Sequence, residues 1–306
     1  MRRGAALAAL IAMGAAAHAA PAAAATRHYW VAAVPVSWNM IPNGRDAIMG
    51  TRFDPSQTVF GTVIYRRFTK NWKRPLSNPR NGSGRDGLQG PLIRARVGDR
   101  IRVHFKNLDT TFNRPHSMHF HGVRYKPSSD GAYVPGFSGG DADVKPGKTW
   151  TYKLTALRSS RGVWPYHDHS PSMHESIDGG MWGMLSILGR HERAPDREFV
   201  VVFAPMGQFQ TIDGRAFVGN TPVFRSRVGD LVQWDVMAMG SEHHTFHVHG
   251  HRWRDHGTPV DTKTVGPAES FRIRWRERDP GTWLYHCHVE AHMAAGMIGI
   301  YRVARR

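Results

Sequence analysis

The sequence predicts an all-β protein of two Greek-key β-sandwich domains, and two observations carry that expectation. The chain repeats itself once, and its hydrophobic patterning has the period of strands. Short alternating runs rich in Val, Ile, Thr, Phe and Trp lie between Gly, Pro, Asp and Asn turns, as in Ile101-Arg-Val-His-Phe-Lys106 and Ser270-Phe-Arg-Ile-Arg-Trp275. Residues two apart on a strand share a face, so such runs bury one side and wet the other. Helical periodicity is weak throughout, which leaves antiparallel sandwiches with Greek-key connections as the expected architecture.

The repeat has four blocks in the same order in both halves. Arg96-Val97-Gly98-Asp99 recurs as Arg227-Val228-Gly229-Asp230. His116-x-x-His119-x-His121-Gly122 recurs as His244-x-x-His247-x-His249-Gly250. Trp164-x-Tyr166-His167-Asp168-His169 recurs as Trp283-x-Tyr285-His286-Cys287-His288, and Gly180-Met181 as Gly296-Met297. Two copies of one domain follow, 26–192 and 193–306, divided in the charged, proline-containing stretch from Gly189 to Glu198.

Ahead of them, residues 1–25 have the build of a secretory signal peptide. Arg2 and Arg3 precede an apolar run from Ala5 to Ala17, and small-residue cleavage candidates follow. The arginine pair fits a twin-arginine signal as well as a general one. The run is too short and alanine-rich for a membrane span, and no other stretch is apolar for long enough. A secreted or extracytoplasmic protein without a membrane span is expected.

The formal charge is +17, but the basic residues are spread along the chain with no dense run. Phosphate tracking needs such a run, so nucleic acid is not an expected partner; the charge reads as a basic surface drawn to anionic polymers. A single cysteine, Cys287, cannot staple an exported chain. Its neighbours His286 and His288 point to metal ligation instead.

The histidines define that chemistry. His119 and His121, His167 and His169, His247 and His249, and His286 and His288 each project together from one strand face. Eight imidazoles exceed the four ligands of a zinc site and suit several coppers sharing a cluster. Cys287 lies between two of them and so points the other way, into its own domain. His244, an odd number of residues from His247 and His249, turns inward as well. With His292 and Met297 close behind, two His, one Cys and a weak axial Met form a blue-copper ligand set. The backbone then links Cys287 directly to His286 and His288.

These motifs make the sequence similar to the two-domain multicopper oxidases, the bacterial small laccases. The resemblance rests on His244-Thr-Phe-His-Val-His-Gly-His251, His286-Cys-His-Val-Glu-Ala-His292 with Gly296-Met297, His119-Phe-His-Gly122 and His167-Asp-His169. It implies the cupredoxin sandwich twice, with type 1 copper on His244, Cys287, His292 and Met297. Type 2 copper would take His119 and His247, and the type 3 pair His121, His167, His169, His249, His286 and His288. It further implies a head-to-tail homotrimer, although the sequence itself also permits the two domains of one chain to meet.

Copper nitrite reductases resemble this layout but keep a cysteine in the first domain, where Asp168 stands here. His116, His174 and Met181 are the corresponding remnants, read as inherited packing residues or as a weak auxiliary metal site. The activity implied is one-electron oxidation of phenols or aromatic amines, with dioxygen reduced to water. Electrons would enter at His292, pass through Cys287, and meet protons delivered by Asp130. Asp168 would orient its histidine neighbours, and Tyr125 is either a packed aromatic or a spare electron donor. The alternative is a metal-ion oxidase acting on Cu(I), Fe(II) or Mn(II), for which Glu242, Glu290, Met237, Met239 and Met293 are the candidate contacts. A copper carrier without turnover is disfavoured, because it needs no cluster ligands.

Overall fold

A computed structural model describes residues 24–77 and 87–306. The expected signal segment therefore lies outside the described residues up to position 23. The first half contains β1 (Thr26–Asn39), β2 (Val59–Phe68), β3 (Ile93–Arg96), β4 (Arg100–Asn107), β5 (His119–Phe120), β6 (Thr149–Thr155), β7 (Gly162–His167) and β8 (Trp182–Leu188). The second contains β9 (Arg197–Met206), β10 (Phe209–Ile212), β11 (Val223–Arg227), β12 (Leu231–Ala238), β13 (His244–Val248), β14 (Trp253–Asp255), β15 (Thr258–Val260), β16 (Thr262–Val265), β17 (Ser270–Arg276), β18 (Gly281–Cys287) and β19 (Ile298–Ala304).

Each half is a sandwich of two sheets. The sheets run β2-β1-β4-β6 and β3-β8-β7-β5 in the first half, then β10-β9-β12-β17 and β11-β19-β18-β13-β16 in the second. The strand order is the same in both, as the sequence repeat requires, except that the second half adds β16 at the edge beside β13 and a two-stranded ribbon, β14-β15. The expectation of purely antiparallel sheets is corrected: β1 with β4, β3 with β8, β9 with β12, and β11 with β19 pair in parallel. Between β1 and β4 the chain crosses to the opposite sheet and returns running the way it left, which a two-residue hairpin cannot do.

Alternation fills each sandwich. Ile101, Val103 and Phe105 of β4 are buried in the first core, while Arg102, His104 and Lys106 face outward. Phe199, Val201 and Phe203 of β9 fill the second core around Trp234. The other face of β9 is also covered. Val200, Val202 and Ala204 join Trp38, Ile64, Trp182 and Met184 of the first half in a third core that welds the two sandwiches together.

A polar cluster crosses the same seam. Arg272 of β17 donates to Ser186 Oγ of β8 (2.7 Å) and Ile187 O (3.0 Å), and pairs with buried Asp235 (3.1 Å). Gln233 Nε2 donates to both Asp235 Oδ2 (2.8 Å) and Glu198 Oε1 (3.0 Å), and Ser186 also donates to Glu198 (2.7 Å). Burial and neighbouring Glu198 push Asp235 up to about 7 against the pull of Arg272. Burial opposes ionisation of Glu198 too, but Arg94 and Ser186 hold it below its ordinary value. The pair thus keeps one proton, on Asp235, that the unfolded chain releases near 3.8.

Between those values the folded protein binds more protons, so this group's contribution to stability falls as pH rises from about 4 to about 7. The expected slope is on the order of 1 kcal/mol per pH unit at most. Asp235→Asn should remove that component, so the wild-type minus variant difference in melting temperature should shrink steadily as pH rises through this window.

Candidate metal centres

The last residue of β18, the first of β13 and a short helix converge in the second domain. Register sets Phe246 opposite Cys287 and His247 opposite His286. His244 at the start of β13 therefore lies on the same inward side as Cys287. The helix Glu290–Ala294 brings His292 over them. Cys287 Sγ is 3.9 Å from His244 Nδ1 and 3.7 Å from His292 Nδ1, and the two Nδ1 atoms are 3.1 Å apart. Met297 is fully buried beside them, its amide bonded to His292 O and its carbonyl to Cys287 N.

Two imidazole nitrogens and a thiol sulfur thus face one point, and Met297 packs in the same core as Cys287. Burial pushes His244 down to about 4, so its ring is neutral at neutral pH, and burial pushes the Cys287 thiol up. The neutral imidazole of His244, a second imidazole nitrogen from His292 and a buried thiol are the kinds of donor a soft-ligand copper site requires. The residues fit copper. The backbone N–H of Thr245 also donates to Cys287 Sγ (3.3 Å).

The paired histidines form two open sets of four. In the first domain, β5 and β7 place His119 against His167 in register, and the rings in contact within the set have centroids 5.1–5.8 Å apart. His121 Nε2 and His167 Nε2 approach to 3.1 Å. In the second domain, His249 Nε2 and His286 Nε2 also approach to 3.1 Å, with His247 and His288 alongside. Four rings donate Nδ1–H to a carbonyl: His119 to Asp130 (2.8 Å), His167 to Asp168 (2.9 Å), His247 to Asp261 (2.7 Å) and His286 to Cys287 (2.8 Å). Each such bond fixes the tautomer and leaves Nε2 as the free donor atom, facing its set. Burial and neighbouring histidines push His121 and His167 down to about 4. Among the described residues no ring contact or hydrogen bond joins one set to the other; His119 and His121 line one cleft, His247 and His249 another.

Other residues singled out in the sequence fall in varied places. Asp130 Oδ1 is 3.5 Å from His119 Nδ1. Burial and a hydrogen bond to Asp130 push Tyr125 up to about 12, and its ring lies 6.2 Å from that of His119. Glu242 reaches the outer Nε2 of His292 at 3.1 Å and accepts from Gln210 (2.8 Å). Met237 and Met239 do not flank that edge: they are buried in the core between the sandwiches. His174 is corrected as well. It sits on the outward face of the helix Met173–Asp178, 85% exposed, next to Asp178. The sequence reading missed Asp261, whose carbonyl does for His247 what Asp130 does for His119; its signal lay only in its place downstream of the second histidine block.

A pair of fused cupredoxin sandwiches, the second with a pocket where His244, Cys287 and His292 converge, is the architecture of a two-domain multicopper oxidase. The chain belongs to the multicopper oxidase family, whose models match residues 79–192 and 192–306. Ferroxidase HEPHL1 of Homo sapiens is 28% identical over 91% of this chain and 29% of its own length. Ceruloplasmin of Rattus norvegicus is 29% identical over 90% of this chain and 31% of its own. The chain thus spans about three tenths of the length of these relatives. Among solved structures, the blue copper oxidase from Nitrosomonas europaea superposes with a TM-score of 0.68 at 21% identity, covering 91% of this chain and 86% of that one. The copper nitrite reductase from the same organism gives 0.69 at 18% identity, covering 91% and 94%. Among the described residues no helix is long and apolar enough to cross a membrane.

Proposed function

We propose that this chain is an exported laccase-type oxidase of the small, two-domain kind, which takes single electrons from a phenol or aromatic amine and reduces dioxygen to water. The convergence of His244, His292 and Cys287 on one point, one residue from two cluster histidines, carries the reading. Copper, when bound, supplies one-electron redox chemistry and a dioxygen site. His244, Cys287, His292 and Met297 would hold type 1 copper, His119 and His247 type 2, and the other six paired histidines the type 3 pair.

The remaining work belongs to the protein. His292, the ligand with an opening to solvent (15% exposed), is the electron entry. Cys287 is covalently continuous with His286 and His288, which gives electrons a short bonded path. Asp130, half exposed beside His119, holds and passes protons to the cluster. Because each set of four histidines stands open and apart from the other, the cluster forms where the first domain of one chain meets the second domain of the next. A closed head-to-tail ring, a homotrimer in this reading, satisfies that contact for every copy.

A second reading has its own support. Glu242 places a carboxylate on the outer nitrogen of His292, and two relatives are named for ferroxidase activity or ceruloplasmin. A cation such as Fe(II) or Cu(I) would bind there in direct line with the electron entry. Dioxygen uptake by the copper-loaded protein tests both readings, with a methoxyphenol and with Fe(II) as alternative reductants. Phenol oxidation by a laccase should survive Glu242→Gln within about threefold. A cation oxidase should lose about tenfold or more in kcat/KM for the metal in the same variant. No uptake with any reductant, despite an intact blue band, would refute the oxidase reading.

A further inference from the structure

The first domain lacks a cysteine, yet the place that holds Cys287 and His244 in the second domain is not empty there. His116, the counterpart of His244, is fully buried between two fully buried carboxylates. Its Nε2 lies 3.2 Å from Asp109 Oδ2, and its Nδ1 lies 3.3 Å from Asp168 Oδ2. Asp168 is the counterpart of Cys287.

Both carboxylates are already surrounded by donors. Asp109 accepts from the amides of Thr111 (3.2 Å), Phe112 (2.9 Å) and Arg114 (3.2 Å). Asp168 accepts from Ser117 N (2.7 Å), Ser117 Oγ (3.3 Å), Ser170 N (3.4 Å) and Ser170 Oγ (2.8 Å). Such carboxylates are held as anions and can only accept. A neutral imidazole has one donor and one acceptor nitrogen, so one of the two contacts would set lone pair against lone pair. Both contacts are attractive only when both ring nitrogens carry hydrogen. A lone buried imidazolium or a facing carboxylate pair would be very costly; the three together neutralise most of that cost.

From this geometry we infer that His116 is a buried imidazolium bridging Asp109 and Asp168, standing where the second domain has its Cys-centred metal site, and that this bridge positions the first domain's histidines. The mechanical link is short. Asp168 lies between His167 and His169, and its Oδ1 holds Ser117, whose Oγ accepts the amide of His169 at 3.1 Å. Ser117 is two residues from His119 on the neighbouring strand. One charge cluster therefore ties together the two chain segments that carry the set of four. The bridge also explains why His116 is no auxiliary metal ligand: neither of its nitrogens has a lone pair to give. His116 acts as a positioning residue and touches no substrate.

The positioning role rests on the copper reading above, whereas the protonation of the ring does not, and two measurements keep their failures apart. In the full-length chain as purified and chemically reduced, nitrogen-15 spectra of labelled histidine at neutral pH should show hydrogen on both ring nitrogens of His116. A single ring N–H would overturn the bridge whether or not the protein is an oxidase. In the copper-loaded protein, His116→Gln should lose most of the cluster copper while the blue band of the Cys287 centre stays. His116→Gln with Asp168→Asn removes the uncompensated charge and should recover most of that copper. Full cluster occupancy in the single variant, or a double variant no better than the single, would overturn the positioning role. Should the single variant fail to fold, the spectra and the double variant still decide.

Discussion

Cys287→Ser should abolish the blue colour and lower substrate oxidation on the order of 10³-fold or more, while leaving the fold in place. A serine hydroxyl is close in shape to the thiol but is a hard, weakly acidic donor. It cannot supply the thiolate bond on which a blue site depends. The damage stays local because Cys287 makes few other demands on its surroundings. It is fully buried in the second core, and the amide of Thr245 that donates to Sγ would find an oxygen acceptor instead. The cost of burying a hydroxyl there is about 1–3 kcal/mol, within the reserve of a domain this size. Visible absorption, dioxygen uptake and circular dichroism measured together check the three parts. Cluster histidines should still bind copper in this variant, because none of their contacts passes through the sulfur. Full oxidase activity in Cys287→Ser would sink the assignment of the electron path.

Much of this was legible in the sequence because the determinants are periodic. The paired histidines sit two apart, so a strand alone puts them on one face, and the repeat supplied the second set. Alternation did not anticipate β9, whose continuous run Phe199-Val-Val-Val-Phe-Ala204 is covered on both faces and so serves two cores. Parallel pairing was not legible, since alternation looks the same whichever way the neighbour runs. Asp261 escaped notice because its backbone carbonyl, which any residue could provide, is what holds His247. Asp109 escaped because its role depends on burial against His116, seven residues away across a turn. His174 misled for a simpler reason. One residue of difference in spacing from His292 places it on the outer face of its helix.

The largest gain of function expected comes from mixing two dead proteins. His121→Ala breaks the set of four in the first domain, and His249→Ala breaks the set in the second. Each variant alone should bind copper at Cys287, colour blue, and consume no dioxygen above about one part in 10³ of wild type. Their mixture distinguishes two ways of building the cluster. If each chain closes its own cluster, every chain in the mixture still carries one broken half, and no activity returns. If clusters form between neighbours, some contacts join the intact first domain of the His249→Ala chain to the intact second domain of the His121→Ala chain. With random co-assembly, half of the first domains and half of the second are intact, so about one quarter of contacts are whole, whatever the number of chains in the ring. Each restored contact also has its Cys287 in the intact second domain, one bond path from His286 and His288, so electron delivery is preserved. Unfolding and refolding the two variants together should therefore restore about a quarter of wild-type dioxygen uptake, and refolding them apart before mixing should restore none. Persistent silence in the co-refolded mixture, with mixed oligomers demonstrated by mass, would mean that the two sets of four come together within one chain by a domain rearrangement. The open geometry argues otherwise: a core of Trp38, Ile64 and Trp182 against Val200, Val202 and Met237 already fixes the two sandwiches with their histidine sets apart. Swinging them together would expose that apolar seam, whereas a neighbouring chain would complete the cluster without disturbing it.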